Sequence, residues 1–295
     1  MTPIVVATST WNSADIIESF LLHSERLGVA AVLVMEYGST DGTRDILLSA
    51  RWQNLVHVFE LPALKDADSS RDLLAIAKAR FAGAWCYFTD PDEFLVTPSM
   101  RIQDLLHEVA DSDAVQAVTV GRFNMTAPLS KAQSTAEYGS AFSRFTLRIV
   151  RGHQRTPEEY TTTGALSPPW IYTAIPGKVL VEVNSCVAIA AGDHSATTSD
   201  PKAHAVASQA CILHYPVRSY RLFEDKIKLA VQDFAANDYP PSNSWQYRRW
   251  IRDLEQGRLF DEYLQQFVPD ELIPGLVADG TLAHDDRLRH FLSAG

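Results

Sequence analysis

The chain has 295 residues, 46% hydrophobic and 21% charged, which is enough apolar material for one large domain or for one domain with an appendage. Its 26 basic against 36 acidic residues leave a formal net charge of −10, which argues against wrapping nucleic acid and against docking on an anionic membrane. Cys86, Cys186 and Cys211 are odd in number, widely spaced and free of any C-x-x-C, so they read as reduced core thiols rather than a disulfide framework or a zinc knuckle. The opening MTPIVVATSTW lacks the basic stretch of a secretion signal, and no apolar run approaches the ~20 residues that span a bilayer. A cytoplasmic protein without a membrane span is expected.

In chain order, residues 4–8 (IVVAT) form a β-branched run that reads as a buried strand. A helix follows, with Asn12 or Ser13 as its cap, Ile16, Ile17, Phe20, Leu21 and Leu27 on one face, and Gly28 as its stop. Residues 29–35 (VAAVLVM) are a second buried strand, GSTDGT a turn, and a short helix starts at Arg44. Residues 55–61 read as a third strand, and a helix capped by Ser69 or Ser70 leads to a fourth, WCYF at 85–88. Strands alternating with helices predict parallel pairing in an α/β sandwich, whose ligands bind beyond the carboxyl ends of the strands. Further strands are expected at 115–123 and 145–150, with a polar excursion over 124–143. GKVLVEV, CVAIAA and finally 209–215 (QACILHY) continue the series; after Ser219 the pattern is helical to the end, apart from the YPPSNS break at 239–244.

Two polar loops carry chemistry. After the fourth strand, YFTDPDEFL places Asp90, Asp92 and Glu93 within four positions. Two carboxylates one residue apart, on a turn stiffened by Pro91, can reach a hard divalent cation that keeps open positions for phosphate oxygens. An exposed acidic turn is the plainer reading of the same residues. GSTDGT makes a good turn with Thr40 or Asp41 as cap, and a glycine-flanked helix start suits the polar groups of a nucleotide. It is too short for a P-loop and lacks the Gly-Lys-Ser/Thr that such a loop needs.

Taken together, EYGSTDGT (36–43), YFTDPDEFL (87–95) and ILHYPVRSYRLFEDKIK (212–228), in this order, resemble the signature of family-2-like glycosyltransferases with the GT-A fold, over roughly residues 4–228. The fold implied is α/β, a GT-A type nucleotide-binding α/β/α sandwich with a mostly parallel central sheet and a C-terminal helical extension. Residues 1–218 would form the catalytic domain, with a nucleotide-sugar half at about 1–122 and an acceptor half at about 123–218, and 219–295 the helical extension packed on it. The resemblance implies Mn²⁺ or Mg²⁺ held by Asp90, Asp92 and His214. It places Arg218 and Lys226 on the diphosphate, eight residues apart on one helix face, and Glu36 at the nucleoside. Thr8, Asn12, Gly38, Asp41, Arg71 and Lys178 complete the implied substrate-binding set, and His194 matches a further family position. The general base is left among Asp193, His194, Glu158 and Glu159.

The activity implied is metal-dependent transfer of a hexose or pentose from a UDP- or GDP-type sugar donor to an acceptor hydroxyl, with inversion. The acceptor is not named by the sequence, residues 124–169 are expected to select it, and a homo-oligomer is allowed. The chain departs from the family where Tyr37 stands for asparagine or aspartate and where Trp11-Asn12-Ser13 keeps only the asparagine. Those departures motivate the alternative, a GT-A protein that binds nucleotide sugar without transferring it. A phosphohydrolase is disfavoured, since no aspartate follows the first strand. QYRRW (246–250) matches a string of processive membrane synthases but reads as an amphipathic helix with Trp250 inward.

Overall fold

The computed structural model describes residues 2–60, 69–110, 115–132, 141–161, 166–236 and 244–293. Its strands are β1 (Ile4–Thr10), β2 (Ala31–Glu36), β3 (Val56–Glu60), β4 (Trp85–Phe88), β5 (Glu93–Val96) and β6 (Ala117–Thr126). They continue with β7 (Leu147–Ile149), β8 (Lys178–Glu182), β9 (Cys186–Ile189), β10 (Ala196–Thr198), β11 (His204–His214) and β12 (Leu282–His284). The α-helices begin with α1 (Ile17–Leu27), α2 (Thr43–Leu47), α3 (Ser69–Arg80), α4 (Asp104–Glu108), α5 (Ala141–Arg144) and α6 (Pro157–Thr161). The rest are α7 (Tyr220–Ala236), α8 (Trp245–Glu255), α9 (Leu259–Leu264), α10 (Ile273–Ala278) and α11 (Arg287–Ser293). None among the described residues is long and apolar enough to cross a membrane.

The chain folds as two compact units, Met1–Arg122 with Pro176–His214 and Arg287–Gly295, and Phe123–Ile175 with Tyr215–Asp286. These interleave along the chain.

In the first unit β3, β2, β1 and β4 lie side by side and parallel, with Val5 between Ala31 and Cys86. β8 adds antiparallel to β4, and residues 117–120 of β6 add antiparallel to β8. The expected α/β architecture with a parallel centre is therefore observed, with antiparallel strands added beside it. All six residues of β2 are buried, as its unbroken apolar run requires of a central parallel strand. One face of the sheet, through Val5, Ala7, Leu33, Met35, Cys86 and Phe88, packs on Leu73, Leu74 and Ala77 of α3. Residues alternate across a strand, so Val6, Thr8 and Thr10 point to the other face. Cys86, Cys186 and Cys211 are all buried and none is joined to another by a disulfide.

Two local expectations change. Helix α1 begins at Ile17 with no side-chain cap, because Asn12 and Ser13 turn to the loop after β2 instead. Its stop is as expected: Gly28 adopts φ 79°, which a residue without Cβ takes without strain. Strand β11 starts at His204, earlier than the apolar run at 209, because its first half is largely exposed and carries no burial pattern to read.

The second unit pairs β7 with residues 125–126 of β6 on one side and with β12 on the other, both antiparallel. β12 interrupts the tail expected to be wholly helical. Helices α7, α8 and α9 pack round an aromatic cluster in which Trp250 meets Phe223 at 4.9 Å and Trp170 at 5.0 Å between ring centroids. QYRRW is thus a core-facing helix segment with Trp250 buried, as expected. The first residues of the expected excursion, 124–126, end β6; its part at 133–140, like 239–243 of the YPPSNS break, lies outside the described residues.

A Cβ at Gly177 would lie 2.3 Å from the Val120 carbonyl oxygen of β6, an immovable backbone atom. Gly177→Ala should lower the urea unfolding free energy by roughly 1–3 kcal/mol. Gly121→Ala, where a Cβ meets nothing within 4 Å, should change it by less than about 0.5 kcal/mol.

Candidate active site

The first unit brings its polar loops to the carboxyl ends of β1, β2 and β4. After β4, the Glu93 amide donates to the Asp90 carbonyl at 3.1 Å and closes a turn with Pro91 at its second position, where a fixed φ favours it. Phe94, Leu95 and Val96 are fully buried and pull the chain straight back into the core. β11 runs antiparallel beside β5 with His214 opposite Glu93, so the last residue of β11 stands next to the turn.

The three carboxylates part company here. Glu93 is buried: its Oε2 accepts from Thr89 Oγ1 and from the Asp90 amide, both at 3.0 Å, and its Oε1 pairs with Arg122. Asp90 Oδ2 accepts from Lys178 Nζ at 2.7 Å. Asp92 Oδ1 lies 3.8 Å from His214 Nε2.

Lys178 opens β8, and its side chain is only 1% exposed. Besides Asp90 its ammonium donates to the Gly192 carbonyl at 3.0 Å, with Glu93 Oε2 at 3.4 Å and Asp193 Oδ2 at 3.7 Å. Burial alone would lower its pKa, but Asp90, then Glu93 and Asp193, outweigh burial and hold it above the ordinary lysine value. The ammonium has three N–H donors, and protein acceptors surround them. In this arrangement Lys178 faces the protein rather than a substrate.

Gly192, Asp193 and His194 form the tip of the β9–β10 hairpin, closed by the Ala190 amide on the Ser195 carbonyl at 2.9 Å. Gly192 (φ 74°) and Asp193 (φ 60°) are both left-handed. Asp193 Oδ1 accepts from Ser70 Oγ of α3 at 2.5 Å. Burial pushes the Asp193 carboxyl up to about 6, against the pull of Lys178 the other way. His194 Nδ1 is 2.9 Å from the Gly177 carbonyl; since a carbonyl only accepts, Nδ1 carries the proton and Nε2 is left as an acceptor. Burial holds the His194 pKa below its usual value, although that hydrogen bond works to raise it.

The loop after β1 is laced to GSTDGT. The Asn12 amide donates to Ser39 Oγ (2.9 Å) and its Oδ1 accepts from the Thr40 amide (2.8 Å), while Asp41 takes the Ala14 and Thr43 amides. Asn12 sits at φ 46°, a conformation asparagine tolerates better than most residues. Glu36 is buried and accepts the Ser39 amide, and Gly38 is left-handed at φ 71°. Tyr37 joins the apolar cluster under α3. Among the described residues the buried hydroxyls of Thr8 and Thr10 meet no hydrogen-bond partner, which marks a place that a water or ligand group would satisfy. Arg71 is exposed and pairs with Asp72.

The other expected residues belong to the second unit. Glu159 is spent on the Thr156 amide, on Arg155 (both 2.8 Å) and on His153, which hold its carboxyl down at about 2. Glu158, beside it, is fully exposed. Arg218 precedes α7 and donates to the Tyr215 carbonyl, whereas Lys226 lies on α7, so the two do not share a helix face. Sequence reasoning missed Arg122 and Ser70; the only signal for Arg122 is a charge breaking into the apolar run of β6.

Among the described residues no group of three or more His, Cys, Asp and Glu side chains is arranged to hold a metal ion. Adjacent ligands of an octahedral Mg²⁺ or Mn²⁺ stand roughly 3 Å apart. Asp92 and His214 at 3.8 Å fit two such positions after a small closure, and Asp90 stands in the same turn with one oxygen on Lys178. The donor types and the crowded negative charge therefore suit a divalent ion.

No protein-family model and no curated protein matches the chain. Among solved structures it is similar to S. aureus TarS 1-349, at 13% identity over 99% of this chain and 81% of that one, with TM-score 0.42. The mannosyltransferase PcManGT from Pyrobaculum calidifontis, in complex with GDP-Man and Mn²⁺, aligns at 15% identity over 94% and 76%, with TM-score 0.37. Glucosyl-3-phosphoglycerate synthase from Mycobacterium tuberculosis, in complex with Mn²⁺, UDP and phosphoglyceric acid, aligns at 21% identity with TM-score 0.31, over 42% of this chain and 43% of that one, less than half its length. Similarity at this level does not identify a family, and the functional reading rests on the site itself.

Because the folded pKa of Asp193 lies above the unfolded one, the stability linked to its protonation is present in acid and lost as pH rises through about 6. At about 1.4 kcal/mol per unit, ionised Asp193 costs about 3 kcal/mol at pH 7.5. Asp193→Asn should be more stable than the parent there by up to that amount, with the gap narrowing as pH falls toward 4. Urea midpoints across that range read it out.

Proposed function

We propose that this chain is a metal-assisted glycosyltransferase of the GT-A, family-2-like type, moving a hexose or pentose from a UDP- or GDP-type donor to an acceptor hydroxyl with inversion. One observation carries this reading: a single buried ammonium, Lys178, joins the Asp90 turn after β4 to the Asp193 hairpin tip. A cation-binding carboxylate loop and a carboxylate of raised pKa thereby share one site. The acceptor oxygen attacks the anomeric carbon, the bond from that carbon to the phosphate oxygen breaks, and the acceptor's proton passes to Asp193. A base with pKa about 6 is ionised at neutral pH yet still basic enough to take that proton in the transition state. Glu159, held near 2 by its own partners, is a far weaker base, and His194 keeps an acceptor nitrogen but is aimed by Gly177. A divalent ion held by Asp90, Asp92 and His214 would supply positive charge to the leaving diphosphate. The unpartnered hydroxyls of Thr8 and Thr10, at the carboxyl end of β1, suit the polar edge of the nucleotide.

Selection of the acceptor by residues 124–169 remains part of the proposal; 133–140 and 162–165 of that stretch lie outside the described residues. The alternative is a relative that binds donor without transferring it.

UDP or GDP at a hundredfold excess over Kd should stabilise the protein by about 2.7 kcal/mol with Mn²⁺ or Mg²⁺ present and not in EDTA. Asp92→Asn and His214→Ala should each abolish that effect, and the double variant should be little worse than either, because they share one ion. Equal stabilisation in EDTA would sink the metal-assisted reading. Retained metal dependence in His214→Ala would remove His214 from the site. Metal-dependent binding without nucleotide release from UDP-glucose, UDP-N-acetylglucosamine or GDP-mannose would favour the non-transferring alternative.

A further inference from the structure

The tip of the β9–β10 hairpin is held in an unfavourable conformation by groups from outside the hairpin. Two successive residues are left-handed, and the second, Asp193, carries a side chain, for which that region costs roughly 1–2 kcal/mol. The hairpin's own bonds, Ala190 amide to Ser195 carbonyl and Asp193 amide to Ala190 carbonyl, both 2.9 Å, close the loop but do not fix where the Asp193 carboxylate points. Three external contacts do. Lys178 Nζ of β8 holds the Gly192 carbonyl at 3.0 Å, Ser70 Oγ of α3 holds Asp193 Oδ1 at 2.5 Å, and the Gly177 carbonyl holds His194 Nδ1 at 2.9 Å. Ser70 is the only one of the three that grips the carboxylate itself at hydrogen-bond distance; Lys178 stands at 3.7 Å from the other oxygen. With Oδ1 occupied, Oδ2 is the oxygen left to face a substrate proton. The tip is also tightly filled: a Cβ at Gly192 would lie 2.8 Å from His194 Nε2.

We propose that Ser70 and Lys178 are positioning residues that clamp the hairpin tip and present Asp193 Oδ2 to the acceptor. This rests on the reading of Asp193 as the general base. Ser70 fixes the rotamer of the carboxylate, and Lys178 fixes the backbone on which it stands. Lys178 simultaneously holds Asp90 of the turn after β4, so it sets the spacing between the acidic turn and the base. Serine is the residue α3 can use here: a short hydroxyl at the second position of the helix reaches the tip without carrying charge into a cluster that is already acidic.

The test compares Ser70→Ala, Ser70→Thr and Lys178→Met with the parent. Hydrogen exchange of the amides of residues 190–195 reads the clamp without any need for activity. Nucleotide release from UDP-glucose, UDP-N-acetylglucosamine and GDP-mannose in the presence of Mn²⁺ reads its consequence. Ser70→Ala should raise tip exchange at least tenfold and lower kcat at least tenfold, with donor KM and the urea midpoint nearly unchanged; Ser70→Thr should restore both within about twofold. Lys178→Met should raise tip exchange as well, and if it fails to fold the serine pair still decides. Tip exchange unchanged in Ser70→Ala overturns the clamp, and a loss confined to KM overturns the positioning role. Turnover absent in the parent with every donor sinks the transferase reading instead, while the exchange data continue to judge the clamp.

Discussion

A buried ammonium organises this site. Lys178 lies beside Asp90, Glu93 and Asp193, and Arg122 pairs with Glu93, so three carboxylates face two cations in one interior cluster. Carboxylates outnumber cations here, so it is the removal of a cation, Lys178 or Arg122, that strands buried charge and costs roughly 3–5 kcal/mol, whereas the complete set is close to neutral in stability. The cluster is therefore kept for what it positions. Glu93 shows how: although it stands in the acidic run, it turns inward and takes the Asp90 amide and the Thr89 hydroxyl, which fixes the turn that presents Asp90 and Asp92. Asp92 lies in the same turn, 3.8 Å from His214, and the divalent ion proposed above would sit beside this cluster.

Much of this was readable in the sequence because it is local. The alternation of β1 to β4 with α1 to α3 follows from apolar runs and turn residues, and the acidic turn follows from Asp90-Pro91-Asp92 at the end of an apolar strand. What was not readable depends on pairing across long separations. Strand β11 begins in an exposed half that has no burial pattern, and only its register with β5 sets His214 against Glu93. Asn12 looks like a helix cap by spacing, yet the loop after β2 takes both its amide, on Ser39 Oγ, and its side-chain oxygen, on the Thr40 amide. Ser70 likewise reads as a cap, and its hydroxyl is drawn 123 positions away to Asp193. Lys178 reads as a ligand-binding cation from its motif; whether a lysine is buried among carboxylates is decided by the fold around it.

The candidates for general base separate on the same physics. Glu159 has good donors on every side, and a carboxylate so well satisfied is stabilised as an anion and gives up basicity. Asp193 has the opposite environment. It is desolvated, it keeps one short hydrogen bond, and its nearest ammonium is shared with two other carboxylates. Its backbone is left-handed and its ionised form costs stability at neutral pH. Asp193 is held by Ser70 of α3 and lies 3.7 Å from Lys178 of β8, while the Gly177 carbonyl before β8 holds the neighbouring His194. On the reading proposed above, the tension between a strained, partly desolvated carboxylate and the rigid groups that hold it is what would poise its oxygen to accept a proton.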